Sequence, residues 1–67
     1  MKMYILSNLQ KYFEANISKH QTNIEIMLNN PMAIHEHVDY VGAIENELAK
    51  MAEYVDKLEV LKQYFID

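Results

Sequence analysis

The sequence predicts an all-α fold in which two long antiparallel helices form an αα-hairpin that packs into a coiled-coil-like homo-oligomeric bundle. Apolar residues recur at steps of three and four on both sides of a single bend. The chain has one glycine and one proline, so there are few places where it can turn. Of its 67 residues 51% are hydrophobic, which is more than so short a chain buries alone. We therefore expect one domain, residues 1–67, that associates with copies of itself.

The first helix is predicted over residues 7–28, or from as early as Lys2. Its apolar stripe consists of Leu6, Leu9, Phe13, Ile17, His20, Ile24, Met27 and Leu28. Polar residues such as Lys11 and Glu25 lie elsewhere around the cylinder. This pattern is typical of a helix that packs one side against a partner.

A turn is predicted over residues 29–35, where Asn29-Asn30-Pro31 is the only strong interruption of the helical pattern. Asparagine tolerates the left-handed conformation that closes many helices, and a proline beyond the end prevents continuation. The chain therefore divides into two long segments at this point.

The second helix is predicted over residues 36–65. Its stripe consists of Val41, Ile44, Leu48, Met51, Val55, Leu58, Lys62 and Phe65 and repeats every seven residues. A seven-residue repeat keeps its stripe at an interface only when the helices wrap around each other left-handedly. Glu53 and Lys57 form a favourable i,i+4 pair. Gly42 is expected to permit a tight helix crossing, with the close approach of a ligand as the alternative.

The two stripes predict the oligomer interface. Its residues are Leu6, Leu9, Phe13, Ile17, His20, Ile24, Val41, Ile44, Leu48, Met51, Val55, Leu58 and Phe65. His20 lies between Ile17 and Ile24, which favours a structural histidine with one hydrogen-bonded nitrogen; a pH-sensitive association is the alternative. Further apolar residues lie off both stripes, among them Tyr4, Ile5, Tyr12, Ile26, Tyr54, Val60, Leu61 and Tyr64. They indicate an additional contact face between subunits, or tyrosines that stack on a planar ligand.

Residues 35–39, His-Glu-His-Val-Asp, are the segment that most resembles a metal or catalytic site. Two histidines two residues apart diverge on a helix, so they do not make a shared metal site without further ligands. Acids are favoured in a first helical turn, and we interpret the segment as a helix start. The chain has no cysteine, no glycine-rich phosphate loop and no nucleophile paired with a base. We expect no enzymatic activity, no metal and no cofactor.

The net charge of −4, with six lysines and no arginine, argues against binding of DNA or RNA, which needs a basic surface. No apolar run approaches the ~20 residues of a membrane span, so no membrane association is expected. Ser7 and Asn8 interrupt the apolar start before a signal-peptide core forms. A cytoplasmic location is therefore predicted.

Residues 29–65 resemble small uncharacterised helical accessory proteins of T-even-like and other tailed bacteriophages. The resemblance covers slightly over half of the chain and rests on Asn30-Pro31, His37-Val38-Asp39, Ile44-Glu45, Glu47-Leu48, Ala52-Glu53-Tyr54, Asp56-Lys57-Leu58 and Tyr64-Phe65. It assigns no activity and no functional residue. It implies a small protein made during infection that acts in the host cytoplasm by stoichiometric binding.

The sequence thus predicts a non-catalytic accessory protein that binds and inhibits or redirects a host protein, such as a host-defence component. The alternative is an oligomeric sponge that sequesters a small signalling nucleotide. Its candidate ligand-binding residues are Tyr4, Lys11, Tyr12, Lys50 and Tyr54, in which tyrosines stack on bases and lysines meet phosphates. A structural component of the virion is a third interpretation.

Overall fold

The structure, a computed structural model, describes residues 1–29 and 39–66. These residues form two α-helices, α1 over Lys2–Leu28 and α2 over Tyr40–Phe65, and include no strand. The helices pack along each other in an elongated molecule of 51 × 15 × 14 Å. The predicted all-α hairpin is confirmed. Most of the predicted turn, residues 30–35, lies outside the described residues.

Helix α1 begins at Lys2, which is the earlier of the two starts considered from the sequence, and it ends at Leu28 as predicted. Asn29 closes it with a φ of −95°, so the left-handed conformation expected of an asparagine is not used. Instead, the Asn29 backbone N–H and side-chain Nδ2 both donate to the Glu25 carbonyl, at 3.0 and 2.8 Å. The asparagine therefore ends the helix by satisfying a free carbonyl group of its last turn.

Helix α2 begins at Tyr40. The sequence predicted a start near Glu36, four residues earlier. Asp39 lies outside the helix as its N-cap, and its Oδ1 accepts a hydrogen bond from the Gly42 backbone N–H at 2.8 Å. A capping carboxylate satisfies one of the donors that a helix start leaves unpaired. The acid at the end of the His-Glu-His-Val-Asp segment is thus a helix cap, and residues 35–38 lie outside the described residues.

Gly42 does not serve the tight helix crossing that we expected. A Cβ atom added to it would stand 2.2 Å from Asp39 Oδ2 and 2.6 Å from Asp39 Cγ. The three nearest atoms all belong to Asp39 and none to α1. Gly42 therefore leaves room for the capping carboxylate.

The contacts between the helices repeat every seven residues. Phe13 packs on Tyr54, His20 bonds Glu47, and the Tyr40 hydroxyl donates to the Met27 carbonyl. Seven residues forward on α1 thus correspond to seven residues back on α2, as antiparallel helices require. One further repeat brings Leu6 opposite Leu61, which has the lowest exposure of the described hydrophobic residues, 7%.

The inward row of α2 lies one residue earlier than the predicted stripe at four of its positions, where it has Tyr40, Glu47, Tyr54 and Leu61. Val41 and Leu48 are 79% and 52% exposed, whereas the neighbouring Tyr40 and Glu47 face α1. The full inward row comprises Tyr40, Ile44, Glu47, Met51, Tyr54, Leu58 and Leu61. The apolar pattern selected Val41 and Leu48 for the interior. It missed their polar neighbours because a hydrophobic pattern does not identify polar side chains that pair across an interface.

Candidate interaction surface

A polar cluster joins the helices near the bend. His20 is 5% exposed, and its Nδ1 lies 2.5 Å from Oε2 of Glu47. Asn23, one turn further along α1, donates from Nδ2 to the other oxygen, Oε1, at 3.1 Å. Both carboxylate oxygens of Glu47 are therefore engaged by α1. His20 is a core residue with one hydrogen-bonded nitrogen, as predicted from its place in the stripe.

The electrostatics of this cluster favour an ionised Glu47. The hydrogen bond from His20 is the main cause that lowers the pKa of Glu47 from its ordinary 4.5, partial burial opposes it, and Asn23 adds to the lowering. Donors aimed at a carboxylate stabilise its charged form. The Glu47 carboxylate is fully engaged within the hairpin, because each of its two oxygens is paired with a nitrogen on α1.

An aromatic cluster lies next to it, towards the end away from the bend, and Tyr54 is its centre. The ring of Tyr54 packs edge-on against Tyr12 and tilted against Phe13, both with centroids 6.2 Å apart. It stacks with the His20 ring at 6.0 Å, and Lys57 Nζ lies 5.1 Å from its centroid. Tyr12, followed by burial, raises the pKa of Tyr54, so the phenol stays neutral.

Of the five candidate nucleotide-binding residues, the structure brings Tyr12 and Tyr54 together. Lys50 lies one turn before Tyr54 on α2, while Tyr4 and Lys11 are exposed and have no ring contact with Tyr54. The Tyr54 ring already packs against His20 and Lys57, so it is not a free stacking platform. The described part of the hairpin encloses no pocket.

No three acidic, histidine or cysteine side chains in the two described ranges are arranged to hold a metal ion. His35, Glu36 and His37 lie outside those ranges. The described side chains therefore form a packing seam between the helices, with two clusters whose members contact one another.

The predicted oligomer-interface residues divide into two groups. Nine lie buried or half-buried within the hairpin: Leu6, Phe13, Ile17, His20, Ile24, Ile44, Met51, Val55 and Leu58. Four are exposed: Leu9, Val41, Leu48 and Phe65. Most of the predicted stripe is thus used within one chain. Gln10 is half-buried on α1 where Leu9 was expected.

Sequence reasoning missed Glu47 and Asn23, and it placed Tyr54 and Leu61 off the stripe. The available signal was His20 itself, because a histidine inside an apolar stripe needs a polar partner on the facing helix. Glu47 is seven residues before Tyr54 and fourteen before Leu61, so these three residues share one side of a heptad-repeating helix.

The described surface is rich in large apolar side chains, and most of those in residues 1–29 and 39–66 lie at the end away from the bend. We call the following residues the open-end surface: Met1, Met3, Tyr4, Ile5, Leu9, Tyr12, Val60, Tyr64 and Phe65. The other exposed large hydrophobic residues of the described ranges are Ile26, Leu28, Val41 and Leu48. So much apolar surface at one end marks it as the candidate interaction surface.

Comparisons of the chain with family models, with curated protein sequences and with solved structures give no match. Neither α1 nor α2 combines the length and the apolar character that crossing a membrane requires.

Proposed function

We propose that this chain is a non-catalytic accessory protein of a tailed bacteriophage that works as a homo-oligomer in the host cytoplasm. It binds a host protein, such as a host-defence component, and blocks or redirects it. The observation that carries the proposal is the ratio of exposed to buried apolar residues. In the described ranges only Leu61 is a buried hydrophobic residue, while thirteen large hydrophobic residues are exposed.

An exposed apolar surface of this extent is typical of a protein that binds a partner through that surface. Tyrosine and methionine, which are enriched at protein interfaces, supply five members of the open-end surface. The polar side chains between the helices do not offer an alternative site, because His20, Glu47 and Asn23 are engaged with one another. The phage context is supported by the sequence resemblance alone.

Exposed acids on α2 add a preference for a basic partner. Glu45, Asp56 and Glu59 are exposed and carry no ion pair with a described lysine. Residues 45, 56 and 59 lie on one side of a helix, since eleven and fourteen residues are close to whole numbers of turns. Charge complementarity raises association rates and selects among partners. We therefore expect the host target to present lysine or arginine opposite this side.

The test is affinity capture from the bacterial host, followed by reconstitution with purified components. The wild-type chain is expected to form an oligomer by light scattering and to bind the captured protein in a fixed ratio. A D56K/E59K variant should lose that complex. The matched control E14K/E25K makes the same change in net charge on exposed positions of α1 and should keep it.

A monomeric wild-type chain that captures no host protein would contradict the proposal. Equal loss of binding in both charge variants would show that net charge, and not the α2 side, determines the complex. Co-purification with virus particles would instead indicate a virion component.

A nucleotide sponge is the second candidate, favoured by the contact of Tyr12 with Tyr54, which brings two of its candidate residues together. Because the described part of one hairpin has no pocket, a nucleotide site would have to form between subunits. Thermal-shift titration with a panel of cyclic nucleotides separates the candidates. A rise in Tm that a Y12A variant abolishes would favour the sponge, and the absence of any shift would favour protein binding.

A further inference from the structure

The beginning of α1 has the composition of an interface core. Met3–Gln10 is the longest run without a charged residue within either helix, and it is flanked by Lys2 and Lys11. Four large hydrophobic residues of this run are exposed: Met3, Tyr4, Ile5 and Leu9. A helix side in contact with water ordinarily carries charged residues. Interface cores are instead depleted in charge and enriched in tyrosine and methionine.

Ile5, Leu9 and Tyr12 follow one another at steps of four and three, so they form a row along one side of α1. The contact of Tyr12 with Tyr54 places this row beside α2. On α2 the same side continues from Tyr54 through Leu61 to Tyr64 at steps of seven and three. The apolar surface therefore spans both helices.

The size of the open-end surface matches that of a stable interface. Aromatic side chains present on the order of 150–250 Å² each when fully exposed and aliphatic ones somewhat less, so these nine partly exposed residues together offer roughly 1,000 Å². A standard protein interface buries about 800 Å² per partner. The four exposed large hydrophobic residues that residues 1–29 and 39–66 place nearer the bend offer less than about half of the open-end area.

The charge distribution favours a second copy of this chain as the occupant. The chain carries a net charge of −4, so contact between two acidic sides would bring like charges together. The run Met3–Gln10 has no charge and can meet its own copy without repulsion. A basic protein, in contrast, is attracted to the acids of α2, which lie on a different part of the surface.

We propose that two copies associate through the row Ile5, Leu9 and Tyr12 about a two-fold axis at Leu9. In such a contact each residue pair occurs twice, so Ile5 of each copy meets Tyr12 of the other while the two Leu9 side chains meet each other. Four helices then surround this row. This inference rests on the homo-oligomeric part of the proposed function and adds the face that forms the contact.

Cysteine crosslinking tests the geometry. The sequence has no cysteine, so L9C introduces the only thiol. Two thiols at the axis satisfy the short Cβ–Cβ separation that a disulfide needs, about 3.5–4.5 Å. Under mild oxidation L9C should give a covalent dimer on a non-reducing gel. The matched control L48C is also exposed, on α2, and should stay monomeric on the same gel.

Sedimentation of charge variants provides a second measurement. In L9E two carboxylates meet at the axis, and the repulsion between these like charges should raise the dimer dissociation constant about 100-fold, which is about 2.7 kcal/mol. L48E should leave the dissociation constant unchanged. Circular dichroism should show equal helical content in both variants, and if L9E proves unfolded the crosslinking result decides.

The outcomes separate this inference from the function it rests on. A wild-type chain that is monomeric at high micromolar concentration overturns this inference and the homo-oligomeric part of the proposed function. A wild-type oligomer that crosslinks through L48C and not through L9C keeps the homo-oligomer and overturns the face. An oligomer that crosslinks through L9C and is dissociated by L9E supports the proposed contact.

Discussion

The two ends of the hairpin are held together by different kinds of contact. Near the bend, α1 and α2 are joined by hydrogen bonds: His20 and Asn23 to Glu47, and Tyr40 to the Met27 carbonyl. At the other end the contacts are those of rings and aliphatic groups, with Phe13 and Tyr12 against Tyr54 and with Leu61 buried. Among the residues that the structure describes, most of the exposed large hydrophobic side chains lie at this second end.

This difference in the kind of contact indicates which end of the hairpin is better suited to bind a partner. Hydrogen bonds are directional, and a donor matched to an acceptor within the hairpin has little to offer a second molecule. Apolar contact is non-directional and grows with the area removed from water, so the uncovered side chains at the open end still gain from association. The bend end therefore fixes the hairpin, and the open end is suited to recognition.

The largest effect on stability is expected from L61A, which removes apolar packing at the open end. Leu61 is 7% exposed, and truncation of a buried leucine leaves a cavity that costs about 2–5 kcal/mol. Such a loss is a large part of the free energy of unfolding of a chain this size. Chemical denaturation followed by circular dichroism measures it. L48A, at a 52% exposed position, should stay within about 0.5 kcal/mol of wild type.

The second effect concerns the bend end and its dependence on pH. The pKa of Glu47 lies below its ordinary value of 4.5, mainly because His20 hydrogen-bonds the carboxylate. The stabilisation from this lowered pKa is present above 4.5 and is lost as the pH falls through the folded-state pKa. The wild-type Tm should therefore decline in acid, while E47Q should have a lower Tm at neutral pH and a flatter acid profile.

E45Q is the control for this pH experiment, since Glu45 is exposed on α2 two residues from Glu47. It should keep the wild-type profile of Tm against pH. Equal flattening in E45Q and E47Q would show that the acid sensitivity reflects net charge and not the contact with His20.

A third, smaller effect sharpens the description of the bend end. D39A removes the cap of α2 and should lower the free energy of unfolding by about 1 kcal/mol. G42A alone should change stability little, because the gain in helix propensity is offset by the clash with the Asp39 carboxylate. In the D39A background, G42A should stabilise by about 1 kcal/mol. A double-mutant cycle without coupling would refute the fit between Asp39 and Gly42.

The smallest effect is expected at the open end, from the exposed pair of Glu53 and Lys57. Their side chains lie 2.9 Å apart, and Glu53 is the main cause that raises the pKa of Lys57. Exposed i,i+4 pairs contribute little because water and salt screen them. E53Q should change the Tm by no more than the error of the measurement. A clear drop would mean that polar contacts matter at this end as well.

The helical hairpin and most of the interior of α1 were predictable from sequence. Phe13, Ile17, His20 and Ile24 all face inward, as their spacing indicates. They were recognisable because they follow one another at steps of four, three and four along one side of α1.

The interior of α2 was not fully predictable, because two of its inward positions hold Tyr40 and Glu47 while apolar Val41 and Leu48 stand next to them. A hydrophobic stripe drawn along one helix assigns each residue by its own polarity. The position of Glu47 depends on donors from His20 and Asn23 on another helix, which only the packed structure brings within reach. Likewise, the sequence does not show why residue 42 is a glycine. The reason is the position of the Asp39 carboxylate, which a side chain at residue 42 would meet.

The seven-for-seven correspondence between the helices bears on how many alignments the chain can adopt. If α2 slid along α1 by one heptad, the Glu47 carboxylate would lie opposite Phe13 or the Met27 side chain and lose both of its donors. Apolar layers such as Leu6 with Leu61 tolerate such a shift far better, since any aliphatic neighbour serves them. The Glu47 carboxylate thus selects one alignment of α2 along α1, although the apolar repeat alone would permit several.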